Sequence, residues 1–165
     1  MSKTIFASIA LCAATFAAAP HADAAVDSGT RKEVLARVQA LGADIKWNAK
    51  AIEALEFNCD GQEDYVIGGR AGNRFHVAII TGPLSLGAAP LTADFAIGTG
   101  EDDALCEKAP KLFVGSMDYN PAEMLGENPE GFTQSATCNE VDLGGECVKY
   151  HLYWNAVAGK ISWWK

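Results

Sequence analysis

From Asp64 to the C-terminus the chain is a succession of short β-prone runs cut by glycine, proline and acidic turns. This rhythm limits the fold more than any other feature of the sequence. Tyr65-Val66-Ile67 and Arg74-Phe75-His76-Val77-Ala78-Ile79-Ile80, joined through Gly68-Gly69-Arg70-Ala71-Gly72-Asn73, predict a hairpin. Thr81 to Pro90 reads as a loop, Leu91 to Ile97 as a strand, Gly98 to Asp103 as an acidic turn and Lys111 to Met117 as another strand. Pro121 to Gly131 reads as loop or a single helical turn. The chain closes on Glu146 to Trp154 and Lys160 to Trp164, a hairpin turning through Asn155 to Gly159.

A helix precedes the strands. Thr30 and Glu33 have capping-box spacing, Val34, Leu35, Val38 and Leu41 recur as one apolar stripe, and Gly42 is a natural stop. Lys46 to Leu55 sets Trp47, Ala51, Ile52 and Leu55 at the spacing of a second short helix, with a strand as the alternative. One or two helices followed by a run of strands predict an α+β fold, with N-terminal helices packed on a mainly antiparallel β-sheet. No repeat or linker interrupts residues 25–165, which read as one domain.

Residues 1–24 stand apart. Lys3, the uncharged apolar run from Ile5 to Ala19, Pro20 and the small residues of Ala22-Asp23-Ala24 have the layout of a secretory signal cut before Ala25. Leu11 before Cys12 does not suit a lipoprotein signal. A periplasmic or secreted protein is the expectation, and the oxidising compartment gives the remaining cysteines a use. Cys59, Cys106, Cys138 and Cys147 form an even set, consistent with two disulfides in any of three connectivities. Cys138 and Cys147 flank a polar stretch with Gly144-Gly145 at its turn and are expected to close a local hairpin, leaving Cys59 with Cys106. The net charge of −8 is unchanged when Lys3 and Asp23 leave together. It disfavours nucleic acid and anionic membrane surfaces, and favours a cation or a basic protein. No later segment is long and apolar enough to span a membrane, and a monomer is expected.

The densest set of oxygen donors is Glu56-Phe57-Asn58-Cys59-Asp60-Gly61-Gln62-Glu63-Asp64. With Glu56 at position 1, Asn58, Asp60, the Gln62 carbonyl and Asp64 fall at positions 3, 5, 7 and 9, and Gly61 allows the sharp turn that calcium loops need. The stretch resembles the Asp-x-Asn-x-Asp-Gly-x-x-Asp loops of dockerin-type and FG-GAP calcium modules. That resemblance implies calcium, with Asn58, Asp60, Asp64 and the Gln62 carbonyl as ligands and Glu56 in the place of the usual first aspartate. Ile67 stands where an EF-hand would supply a bidentate carboxylate. The competing reading is an Asx-type turn leading into a strand. Glu101-Asp102-Asp103 is a second acidic cluster; a Cys59–Cys106 bond would bring it near this loop.

Three of the four tryptophans lie in the aromatic tail. Alternation there puts Tyr150, Leu152 and Trp154 on one face and Lys149, His151 and Tyr153 on the other. Tyr153 with Trp163 or Trp164 would then make a platform for a sugar ring or a partner protein, unless the fold covers that face as well. The tail and the Asn-Cys-Asp-Gly loop together resemble small exported bacterial proteins to which no activity is attached. His76 and His151 both fall in predicted strands, so a zinc site made of them and a carboxylate requires those strands to be neighbours. No nucleophile-elbow, His-Glu-x-x-His or phosphate-loop motif is present, and no catalytic residue is assigned. The reading is therefore a non-catalytic, disulfide-stabilised binding domain for a glycan or protein, with a calcium-stabilised loop. One alternative is an inhibitor of a basic cell-wall hydrolase of the lysozyme kind. Cys59-Asp60-Gly61 resembles periplasmic lysozyme inhibitors, although their Ser-Gly-x-x-Tyr stretch is absent. The other is a small hydrolase working through carboxylates such as Asp60 or Glu101.

Overall fold

The computed structural model describes residues 26–98, 104–106, 109–144 and 149–165. Helix α1 (Ser28–Gln39) is followed by β1 (Lys46–Trp47), a 3-10 turn, β2 (Glu53–Leu55), β3 (Asp64–Ala71), β4 (Arg74–Ile80) and β5 (Leu91–Ala96). Then come β6 (Lys111–Ser116), the one-turn helix α2 (Ala122–Leu125), β7 (Asn139–Gly144), β8 (Tyr150–Asn155) and β9 (Lys160–Trp164). Every pairing between these strands is antiparallel. The first sheet has the order β1-β3-β4-β5 with β2 also on β3, and the second runs β6-β7-β8-β9. No helix among the described residues is long and apolar enough to cross a membrane.

Parity along the strands sorts the side chains into layers. One face of the first sheet gives Val66, Phe75, Val77, Ile79 and Phe95 to a core shared with Val141, Leu143, Tyr150, Leu152 and Ile161 of the second. Phe95 meets Tyr150 across that junction at a ring separation of 5.1 Å. The other face of the first sheet holds Tyr65, Ile67, Ala78 and Ile80 against Val34 and Val38 of α1. The order of layers is helix, five-stranded sheet, four-stranded sheet. The other face of the four-stranded sheet is covered in part by the 117–135 segment, which packs Met117 and Phe132 against Tyr153.

The α+β prediction holds, with local differences. Asp27, not Thr30, caps α1: its carboxylate accepts from the Gly29 and Thr30 amides, and the Thr30 hydroxyl donates to it. Leu41 lies beyond the helix and is exposed. Lys46 to Leu55 forms β1, the 3-10 turn and β2 in place of a second helix, because pairing with β3 satisfies its backbone. Gly68 and Gly69 belong to β3, not to the turn. A Cβ on Gly68 would sit 2.7 Å from the Phe75 ring and one on Gly69 2.6 Å from Trp47, so neighbouring rings close over the bare backbone.

The disulfide prediction is corrected. Cys59 bonds to Cys138, with Cα atoms 5.5 Å apart, and neither makes the expected bond to Cys106 or Cys147. The reason lies in the residues beside the two cysteines, Glu56 before Cys59 and Asn139 after Cys138. The Glu56 N–H donates to Asn139 Oδ1, and the Asn139 N–H donates to the Glu56 carbonyl at 2.7 Å, which draws the start of β7 onto the loop after β2. Residues 139–144 are thus a strand, not the arm of a local cysteine-closed hairpin. Cys106 is also disulfide-bonded. Cys147 lies outside the described residues, as do Glu101-Asp102-Asp103 and the leader 1–24.

Candidate metal centre on the outer sheet face

Val141 and Leu143 point into the inter-sheet core, so Glu140 and Asp142, one residue out of phase, leave β7 on the opposite side. The same parity on β8 sends Tyr150 and Leu152 inward and His151 outward. Register then fixes who meets whom: Phe113 lies opposite Asp142, Asp142 opposite His151 and His151 opposite Trp164. The Trp164 indole stacks flat on the His151 ring, with centroids 4.0 Å apart and planes 10° from parallel.

The three ionisable groups converge on one point. His151 Nδ1 is 3.0 Å from Glu140 Oε1 and 2.9 Å from Asp142 Oδ1. The outer oxygen of each carboxylate is engaged elsewhere. The Tyr119 hydroxyl donates to Glu140 Oε2 at 2.5 Å, and Lys149 Nζ donates to Asp142 Oδ2 at 2.8 Å. Gly115 on β6 provides the space: a Cβ there would lie 3.1 Å from Glu140 Cγ and 3.4 Å from Asp142 Oδ2. The cluster lines a cleft of about 470 Å³, together with Ser116, Tyr119, Asn120, Glu123 and Met124.

Burial of the His151 ring disfavours its charged form. The nearby carboxylates of Asp142 and Glu140 outweigh that and raise its pKa to about 9. Burial likewise works against the Asp142 carboxylate, but His151 and Lys149 hold it below its ordinary value. Burial first, and then the Glu140 carboxylate, push the Tyr119 hydroxyl far above the usual phenol range. The protonated cluster nevertheless leaves one group wanting. Nδ1 has one hydrogen, and its hydrogen bond runs to Glu140. Asp142 Oδ1 is buried and receives no hydrogen-bond donor among the described residues. One proton cannot serve two carboxylate oxygens at once. With the ring neutral and its proton on Nε2, Nδ1 offers a lone pair, and one ligand atom from each of Glu140, Asp142 and His151 lies within 4.8 Å of the others. The group could hold a metal ion.

Of the residues expected to bind calcium, Glu56, Asn58, Asp60 and Asp64 accept hydrogen bonds within and beside the loop. Asp64 is fully buried; Oδ2 accepts from the Phe57 and Asn58 amides and Oδ1 from the Gly82 amide. Asp60 accepts from the Asn58 side chain and the Gln62 amide, and its own amide donates to Glu56 and Asn58. Burial, and then the neighbouring Asp64 charge, raise the Glu56 pKa. Glu56, Asp60 and Asp64 do not form a converging ligand group of the kind found on β7 and β8. The aromatic platform is also dispersed. Tyr153 is buried with Met117, Cys138 and Phe132, and its hydroxyl donates to the Glu130 carbonyl, because the 117–135 segment covers that part of the sheet. Trp163 is 42% exposed and packs edge-on against Phe95, while Trp164 serves the His151 stack. His76 lies on β4 in the other sheet and does not join His151.

Glu140, Asp142, Tyr119 and Lys149 do not figure in the sequence reading as site residues. The one local signal for two of them is the alternation Glu140-Val141-Asp142-Leu143, a strand pattern whose polar half is all acidic. No family model, curated protein or solved structure matches the chain.

Proposed function

We propose that this chain is an exported, disulfide-bonded metal-binding domain, and that Glu140, Asp142 and His151 hold a borderline divalent ion of which zinc is the representative. The observation that carries this reading is Asp142 Oδ1, a buried carboxylate oxygen without a donor, directed at the same nitrogen as Glu140 Oε1. An ion in place of the Nδ1 proton satisfies all three atoms. One imidazole nitrogen and two carboxylate oxygens suit zinc and its neighbours better than calcium, which prefers six or more oxygens. The metal in this reading is thus not the calcium expected of the Glu56–Asp64 loop. Three protein ligands leave a further coordination position toward the cleft for water or a ligand. Support for export comes from the signal-like leader and from the disulfides, which persist in oxidising compartments.

The test is calorimetric titration of the EDTA-stripped, oxidised protein with zinc chloride and, separately, calcium chloride. One zinc should bind per chain, and at about a hundred times the dissociation constant it should stabilise the fold by about 2.7 kcal/mol. His151→Ala should abolish binding, whereas Asp60→Ala should leave it intact. Absence of zinc binding, or binding indifferent to His151→Ala, would overturn the reading.

A further inference from the structure

The two carboxylates of the cluster are held in the same way. Each has one oxygen tied down from outside, Glu140 Oε2 by the Tyr119 hydroxyl and Asp142 Oδ2 by the Lys149 ammonium. Each therefore turns a single oxygen, Oε1 or Oδ1, toward His151 Nδ1. A carboxylate whose second oxygen already accepts a charge-assisted or short hydrogen bond is a poorer donor at that oxygen, and so favours giving an ion one ligand atom. Ions differ in what they need. Zinc and cobalt are content with four ligands, while manganese favours six, largely oxygen, and is helped by bidentate carboxylates.

Resting on the metal-binding reading above, we infer that Tyr119 and Lys149 are specificity-determining residues, which keep Glu140 and Asp142 monodentate and so select a low-coordinate ion. The two act from different directions. Tyr119 reaches down from the segment after β6, where its ring lies 6.2 Å from Trp164 and 5.6 Å from Phe132, whereas Lys149 approaches from the start of β8. Neither is needed for the charge of the ligand set. Removing Lys149 adds net negative charge and should tighten every divalent ion alike, so affinity alone does not report selection. The ratio between two ions of equal charge does.

The experiment compares zinc and manganese chloride binding to the wild-type protein, Tyr119→Phe, Lys149→Met and the double variant, with cobalt absorption spectra recorded on each. The expected result is a zinc-to-manganese affinity ratio that falls by about tenfold or more in the double variant. The intense visible bands of four-coordinate cobalt should at the same time give way to the weak bands of a six-coordinate ion. Lys149 is half-exposed, so its variant keeps the test open even where loss of the Tyr119 hydroxyl impairs folding. If wild-type protein binds zinc and the ratio and spectra are unchanged in folded variants, the selecting role is overturned while the site stands. If wild-type protein binds no zinc, the metal-binding reading fails and this inference with it.

Discussion

Asp64 shows how a residue type can suggest one chemistry and perform another. Its position before a strand, with Asp60 and Asn58 at alternate places, has the look of a calcium ligand. In the fold both oxygens are spent on backbone amides, those of Phe57 and Asn58 on one side and Gly82 on the other. Replacing it with Asn keeps the shape but turns one acceptor into a donor facing an N–H group. Asp64→Asn should therefore cost about 2 kcal/mol in urea unfolding, the penalty of an unsatisfied buried amide. An unchanged midpoint would show that the carboxylate is not the loop's organising acceptor. At this scale the sequence was informative about which residues matter in the Glu56–Asp64 loop, but hydrogen-bond direction, which decides their role, is not written in spacing.

At the scale of elements, the strands with clear apolar alternation or β-branched runs were legible: β4, β5, β6, β8 and β9 lie close to where the pattern puts them. Two were not. Lys46 to Leu55 has apolar residues at intervals that favour a short helix over a strand, and pairing with β3 overrides that local pattern. β7 is short, acidic and placed between two cysteines, so turn chemistry outweighed its period of two. Missing β7 hid both the true disulfide and the metal centre, since each depends on what lies opposite it. The Cys59–Cys138 bond spans 79 residues and joins the loop after β2 to the head of β7. On the loop-entropy model its loss should cost about 4.5 kcal/mol. Urea unfolding of the Cys59→Ala/Cys138→Ala protein checks this. A loss well under about 1 kcal/mol would mean that the Glu56–Asn139 backbone pair already fixes the junction.

For the molecule as a whole, the β7–β8 cluster links stability to pH. The folded pKa of His151, about 9, exceeds its ordinary 6.5, so its contribution to the metal-free protein is complete below about 6.5. It is lost as pH rises through about 9. The stability gap between wild type and His151→Gln, measured in EDTA from about pH 6 to about pH 10, should narrow by on the order of 3 kcal/mol at most. A gap that stays constant would show that the ring is not held in its charged form. Comparing the two proteins cancels other groups that titrate at alkaline pH. The alternation along β7 has a further consequence. Positions 140 and 142 face the cleft on one side of the sheet, and positions 141 and 143 face the core on the other. Substitutions on the cleft side can thus change what the surface binds while the core stays packed. A one-residue insertion or deletion, by contrast, would drive two carboxylates into the core and carry Val141 and Leu143 out to water. For this strand, the spacing between letters is harder to alter than the letters on its cleft side.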